Sequence, residues 1–445
     1  MLALLLLGWA AGYGKLSIAV VVCVCRLLGI RSLAWLWPVS WLFLIEADAF
    51  CGYLPTHWPD AHLLLFSYYG ESYLDDWAVK LLGTGLRLLV GLLLFRLVAG
   101  LSPRLRLLVL HGLVLALVAL CRPLPAGQPV WGALALFLLL SCCYHFYQLC
   151  YLTLESPRLG TGSFFQLFLA PFWETSVVPR PVMQVEPDLE ESDKLTARCL
   201  RLALRTAAMV LCADALDALL FGRHFHGLVF PRLFAPLPDL GVTGLAPQLF
   251  GVYSRAQIWA SLYWSSLYRI SNYFGIFAFL ECCHLLLSYD VPRRFTFPWS
   301  CRSFSEFYNA IMPYYVILVN RVYLYPCFSW LRSRGLGKKA AYELALFFGV
   351  FMAGFFAHLL RDVQLAPLLG GWTYLRLSLV TDLAYYLLLF LALRLAVLPK
   401  GWPNWLKFLC LSSLYALVLL FRRGGLFTTW DERWNFLLHF WSGSA

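Results

Sequence analysis

His358 stands near the end of the run LFFGVFMAGFFAHLLRD, among aromatic and small residues, with no charge before Arg361. An imidazole in such a setting is largely desolvated, desolvation favours the neutral ring, and the neutral ring can take a proton from a hydroxyl or amine nucleophile. Gly349 and Gly354 in the same run permit close helix approach or bending. A histidine on an apolar helix serves equally as a core or interfacial residue, so this run alone leaves the role open.

Other ionisable residues interrupt the apolar stretches. Arg198, Arg201, Arg205, Asp214 and Asp217 share one predicted helix, and Arg269, Glu281, Glu343, Arg376 and Asp382 lie in later ones. Each costs roughly 2.5 to 3.5 kcal/mol at the centre of a bilayer, so each needs a partner, a cavity or a task. Arg201 with Arg205, and Asp214 with Asp217, fall on common helix faces where another helix or water must compensate them. Structural pairing is the default reading; a solute pathway along Asp214, Glu281, Glu343 and Asp382 is the alternative.

Metal chemistry has little support. His224 and His226 form an H-x-H pair beside Arg223 and Arg232, with no third ligand nearby. The 14 cysteines lie mostly inside apolar runs, as in Cys23 and Cys25, Cys142 and Cys143, or Cys282 and Cys283. They give no zinc spacing and read as small core residues, and no disulfide is assigned.

Composition says what must position these groups. Of 445 residues 61% are hydrophobic and 13% charged, and the mean hydropathy is +0.71. An ordinary soluble domain carries roughly 25% charged residues, so the expected class is an all-α polytopic membrane protein. Spanning stretches fall near Lys15 to Ile30, Leu33 to Glu46, Leu81 to Leu101, Leu105 to Leu120, Val130 to Leu154 and Leu195 to Phe221. Others follow near Gln257 to Ser288, Ser305 to Leu331, Lys338 to Leu360, Trp372 to Leu398 and Trp405 to Phe421. That predicts about 10 or 11 transmembrane helices. Leu33 to Glu46 is short and contains Pro38, which suits a tilted or re-entrant segment. The N-terminal apolar run lacks a basic leader and a clear cleavage site and is expected to be retained.

The connections divide the chain. Residues 1–154 hold N-terminal membrane helices, with an interfacial, Trp- and Asp-containing segment near 47–80. Residues 155–256 hold a loop, a membrane helix and a second loop, and the first loop ends in the acidic run DLEESD, which suits the positive pole of the helix that follows. Residues 257–361 form a central core, and 362–445 supply C-terminal membrane helices and an interfacial tail. The net charge of +11 is spread over many short connections, as anionic headgroups and the positive-inside bias require. It forms no dense basic block, so nucleic acid is not an expected partner.

The central core reads YRISNYFGIFAFLECCHLLLSYDVPRRFTFPWSCRSFSEFYNAIMPYYVILVNRVYLYPCF from Tyr268. An aromatic helix with Asn272, Tyr273, Phe274 and Gly275 leads to Glu281. A turn with Pro292, Phe295 and Pro298 then precedes a Ser305-Glu306-Phe307-Tyr308 start and a Tyr323-Leu324-Tyr325-Pro326 exit. This order, with His358 on the next apolar helix, resembles the central signature of the membrane-bound O-acyltransferase (MBOAT) family. The resemblance covers Tyr268 to about Arg361; earlier residues match only as generic spans.

The resemblance implies an MBOAT-like helical bundle, with re-entrant and interfacial helices, around a central tunnel with the histidine at its middle. An acyl thioester such as acyl-CoA is the donor substrate, and no cofactor or metal is bound. A hydroxyl, on a glycan or a lipid, is the acceptor; the exit motif tilts the choice towards a glycan. His358 then deprotonates the acceptor, and an amide such as Asn309 positions the acceptor or the developing oxyanion. Asn320, Arg321, Tyr308 and Glu281 are candidate substrate- or donor-binding residues, Arg321 through a phosphate or carboxylate. Some glycan-modifying members are thought to hand the acyl group to a partner protein across the membrane.

One departure matters. Met312 falls where glycan-modifying members carry a first histidine, and a thioether takes no proton. This motivates a second reading, a catalytically degenerate MBOAT-like scaffold or binding protein; a third is an unrelated transporter or channel. The expected location is an integral membrane, bacterial inner membrane or endoplasmic reticulum.

Overall fold

The computed structural model describes residues 1–10, 13–29, 93–119, 183–184, 189–222, 224–225, 228–229, 252–287, 289–290, 295–369 and 371–422, with a few isolated positions besides. The spans expected at Leu33 to Glu46 and Val130 to Leu154, most of Leu81 to Leu101, and the interfacial segment near 47–80 lie outside the described residues.

The fold is all-α. Its helices are α1 (Leu2–Ala10), α2 (Tyr13–Leu27), α3 (Pro103–Ala119), α4 (Leu189–Phe221), α5 (Arg255–Leu286) and α6 (Phe304–Ile311). There follow α7 (Pro313–Val319), a π-helical turn (Asn320–Leu324), α8 (Tyr325–Ser333), α9 (Lys338–Leu369), α10 (Trp372–Leu395) and α11 (Asn404–Arg422). Among the described residues four two-residue strands make two antiparallel ladders: Met183–Gln184 pairs with Tyr289–Asp290, and His224–Phe225 with Leu228–Val229. Among the described residues two helices, α10 and the Lys338–Phe356 part of α9, are long and apolar enough to cross a membrane.

The chain separates into two compact units. Unit 1 is Met1–Leu27, Met183–Pro313 and Leu387–Ala445; unit 2 is Leu28–Val182 and Tyr314–Tyr386.

In unit 1, α4 and α5 lie side by side, with α1 and α2 against them and α11 along α5. A reciprocal capping box starts α5: the Ser254 hydroxyl accepts from the Gln257 amide, and the Gln257 side chain accepts from the Ser254 amide at 2.8 Å. The α4–α5 seam is built of small residues, with Ala203, Ala207 and Ala278 all buried. A Cβ added at Gly275 would lie 2.9 Å from a Val210 methyl, so glycine permits the close approach there. The acidic run expected ahead of α4 lies largely inside it: the helix begins at Leu189, six residues before the expected start at Leu195, with LEESDK as its first residues.

The stretch Ser305 to Leu331, expected as one apolar span, is broken instead. Met312 ends α6 with φ −134° and ψ 48°, and Pro313 opens α7. Proline has no amide to continue a helix and pushes the preceding residue out of helical geometry. Pro326 explains the π-helical turn in the same way: it cannot donate to the carbonyl four residues back, and its ring would collide with it. The backbone widens instead, and the Tyr325 amide bonds the Asn320 carbonyl.

In unit 2, α3, the π-helical turn and α9 converge on one apolar core that includes Leu110, Val114, Val322, Tyr323, Ala353 and Phe356. Gly371 turns the chain between α9 and α10 at φ 60°, a conformation that suits glycine. Helix α10 then returns beside α9 so closely that a Cβ on Gly354 would overlap the Tyr386 ring.

Candidate functional site

The residues singled out in the sequence divide between the two units. Tyr308, Asn309, Met312 and Glu281 belong to unit 1; Asn320, Arg321 and His358 belong to unit 2.

In unit 1, α6 is held at its start by the Ser303 hydroxyl, which accepts from the Glu306 amide at 3.1 Å, while the Glu306 carboxylate accepts from the Arg302 amide at 2.7 Å. Strand-like contacts fix this start to the residues after α10: Phe304 N–H donates to Ala396 O at 3.0 Å, and Leu398 N–H to Arg302 O at 2.7 Å. Phe307 is fully buried among aromatic rings, 6.4 Å from Phe408 and 5.9 Å from Tyr415 by ring centres. That anchor leaves Tyr308 half-buried, stacked on Phe304 at 6.4 Å, and Asn309 exposed. Met312 is half-buried at the helix break.

Glu281 is buried and ion-paired: Arg198 on α4 reaches its carboxylate at 2.5 Å, and Glu281 is 3% exposed. Two further carboxylates on the same seam have donors from α5. The Tyr268 hydroxyl donates to Asp214 at 2.8 Å, and the Trp264 indole N–H donates to Asp217 at 3.0 Å. These three carboxylates therefore engage side chains on the facing helix. Among the described residues no group of three or more His, Cys, Asp or Glu side chains could hold a metal ion.

The loop between α5 and α6 holds a half-exposed thiol, Cys301. Burial, and after it the nearby Glu306 carboxylate, pushes this thiol up to about 11.

In unit 2, Asn320 and Arg321 begin the π-helical turn and are half-buried. The turn meets α9 at Leu324, whose Cβ would lie 3.4 Å from a Cβ added at Gly349. His358 lies on α9 two residues beyond Phe356; its side chain is outside the described set.

The geometry also presents a second histidine, His111 on α3, which sequence reading passes over. Its Nδ1 lies 2.6 Å from the Leu107 carbonyl, its Nε2 lies 2.7 Å from the Tyr323 hydroxyl, and its ring meets Phe356 edge-on at 4.5 Å. A carbonyl only accepts, so Nδ1 carries the hydrogen, and in the neutral ring Nε2 accepts from the tyrosine O–H. The pair thus joins α3 to the π-helical turn through one side-chain hydrogen bond and touches α9 through Phe356. The signal for His111 is the one used for His358: an imidazole inside an apolar helix, here in PRLRLLVLHGLVLALVA.

No protein-family model matches the sequence, and no curated protein matches it.

Proposed function

We propose that this chain is a polytopic membrane protein that transfers an acyl group from an acyl-thioester donor such as acyl-CoA to a hydroxyl acceptor, in the manner of the membrane-bound O-acyltransferases. The observation that carries the reading is the packing of the π-helical turn, which holds Tyr323 and Leu324 of the Tyr-x-Tyr-Pro exit, against the helix that bears His358. Those two halves of the signature are separated in sequence and pack together in unit 2.

Membrane embedding is supported by the surface of α10. Val380, Leu383, Leu387, Leu391 and Leu395 recur along one helix face and are all exposed. A long apolar stripe of that kind is costly in water and costs nothing against lipid tails.

In the proposed reaction His358 takes the proton of the acceptor hydroxyl as its oxygen attacks the thioester carbonyl. The tetrahedral intermediate collapses, the carbon–sulfur bond breaks, and the imidazolium returns the proton to the departing thiolate. Asn320, in the same unit as His358, is the amide proposed to orient the acceptor or the oxyanion, and Arg321 is the cation proposed for the donor's phosphates. A glycan hydroxyl is the favoured acceptor, with a partner protein as a possible relay.

Met312 favours one second reading, a degenerate member that keeps the bundle and binds without turning over. Incubation of purified full-length protein with radiolabelled acetyl- and palmitoyl-CoA separates the two. Acyl transfer or donor hydrolysis that disappears in His358→Ala is the expected result. Donor binding without turnover in wild type establishes the scaffold, and solute flux independent of any donor replaces both with a transporter.

A further inference from the structure

The geometry points to a redox modification site in unit 1: Cys199 and Cys282 form a vicinal thiol pair across the α4–α5 seam that closes into an interhelical disulfide. The two thiols face each other across the seam. Each also lies 3.6 Å from the other residue's backbone carbonyl, Cys199 Sγ to Cys282 O and Cys282 Sγ to Cys199 O. Reciprocal contact of this kind occurs only where both side chains point into the same narrow gap between two backbones.

A disulfide needs its Cα atoms within roughly 7 Å, closer than most helix pairs come. At this level the reciprocal 3.6 Å sulfur-to-carbonyl contacts hold the two backbones close, and the small buried Ala203 follows one turn on along α4. The Arg198–Glu281 ion pair, one residue before each cysteine, fixes the register on either side of the thiols. Both cysteines are buried, at 4% and 0% exposure, and both are reduced in this structure. Such burial selects the oxidant: a lipophilic quinone small enough to enter from the apolar phase, rather than a bulky protein disulfide. In the balanced step the two thiols lose two protons and two electrons, the quinone takes both to become a quinol, and one sulfur–sulfur bond forms. The bond would staple α4 to α5 beside their ion pair.

The test uses the full-length protein in membranes, treated with a benzoquinone or with dithiothreitol. It is then unfolded, alkylated, digested and mapped without reduction. The expected result is a linked peptide pair joining Cys199 to Cys282 after quinone treatment, absent after dithiothreitol, with both residues alkylated in the reduced sample. Copper-phenanthroline provides a second oxidant, so a failure of quinone access is not mistaken for a failure of geometry. Full alkylation of Cys199 and Cys282 after both oxidants overturns the proposal, as does preferential pairing of either with Cys23 or Cys283. A Cys282→Ser variant is expected to abolish the linked pair, and a new Cys199 partner in that variant of equal yield would also count against it.

Discussion

The Nε2 of His111 and the hydroxyl of Tyr323 lie 2.7 Å apart although 212 residues separate them in the chain. This bond ties an early helix to the π-helical turn, where the helical register widens. Removing the tyrosine hydroxyl leaves a part-buried imidazole nitrogen without that donor, at a cost of about 1–2 kcal/mol. Tyr323→Phe is therefore expected to lower the Tm, His111→Phe to lower it similarly, and the double variant to lower it by less than the sum. Additive losses in thermal unfolding would show that the two residues act independently.

Gly354 carries a sharper steric demand. A Cβ there would sit 1.8 Å from the Tyr386 ring, so Gly354→Ala must displace the ring or the helix. Overpacking of this kind typically costs about 1–3 kcal/mol. Adding Tyr386→Ala should restore part of the loss, and an alanine variant as stable as wild type would exclude the close approach of α9 and α10.

Arg198 and Glu281 are expected to behave unequally when separated. Arg198→Met takes the paired cation from a carboxylate that is 3% exposed; because Arg198 itself is 27% exposed, the cost is about 1–3 kcal/mol. Replacing both with Arg198→Met and Glu281→Leu should be milder than the single change. Equal loss from single and double variants, read by unfolding in detergent, would argue against burial of an uncompensated charge as the cause.

Cys301 offers a pH test outside the bundle. Its thiol is pushed up to about 11, which disfavours the thiolate, the form that alkylates. Its iodoacetamide rate should therefore keep climbing between pH 9 and about 11, where an unperturbed thiol near 8.5 has already levelled off. Glu306→Gln should move that midpoint down slightly, since burial is the larger of the two causes. A plateau near pH 9 in wild type would contradict both.

Much of the helix plan is legible because long apolar runs without proline favour helix. Helices α9, α10 and α11 start within a residue or so of the expected positions, and α9 runs further, to Leu369. The break at Met312 was less visible because apolar and aromatic residues continue through it, although Pro313 carries the physical reason. The widened turn before Pro326 needs backbone accounting that hydropathy does not perform. His111 shows a different limit. Its local pattern is as clear as that of His358, yet nothing local announces a partner as distant as Tyr323. The facing of Cys199 and Cys282 depends in turn on the register of two long helices, which sequence spacing alone does not set.

Unit 1 is assembled from three stretches of chain, and this governs its birth. Leu4 and Leu7 of α1 are fully buried, and α1 packs on α4 and α5, which are made much later. Closing such long loops carries an entropic penalty before any contact rewards it. During synthesis α1 must therefore wait for that contact until α5 has left the ribosome. A truncation that ends before Arg255 should strand α1 without its resting place and mark the shortened chain for proteolysis.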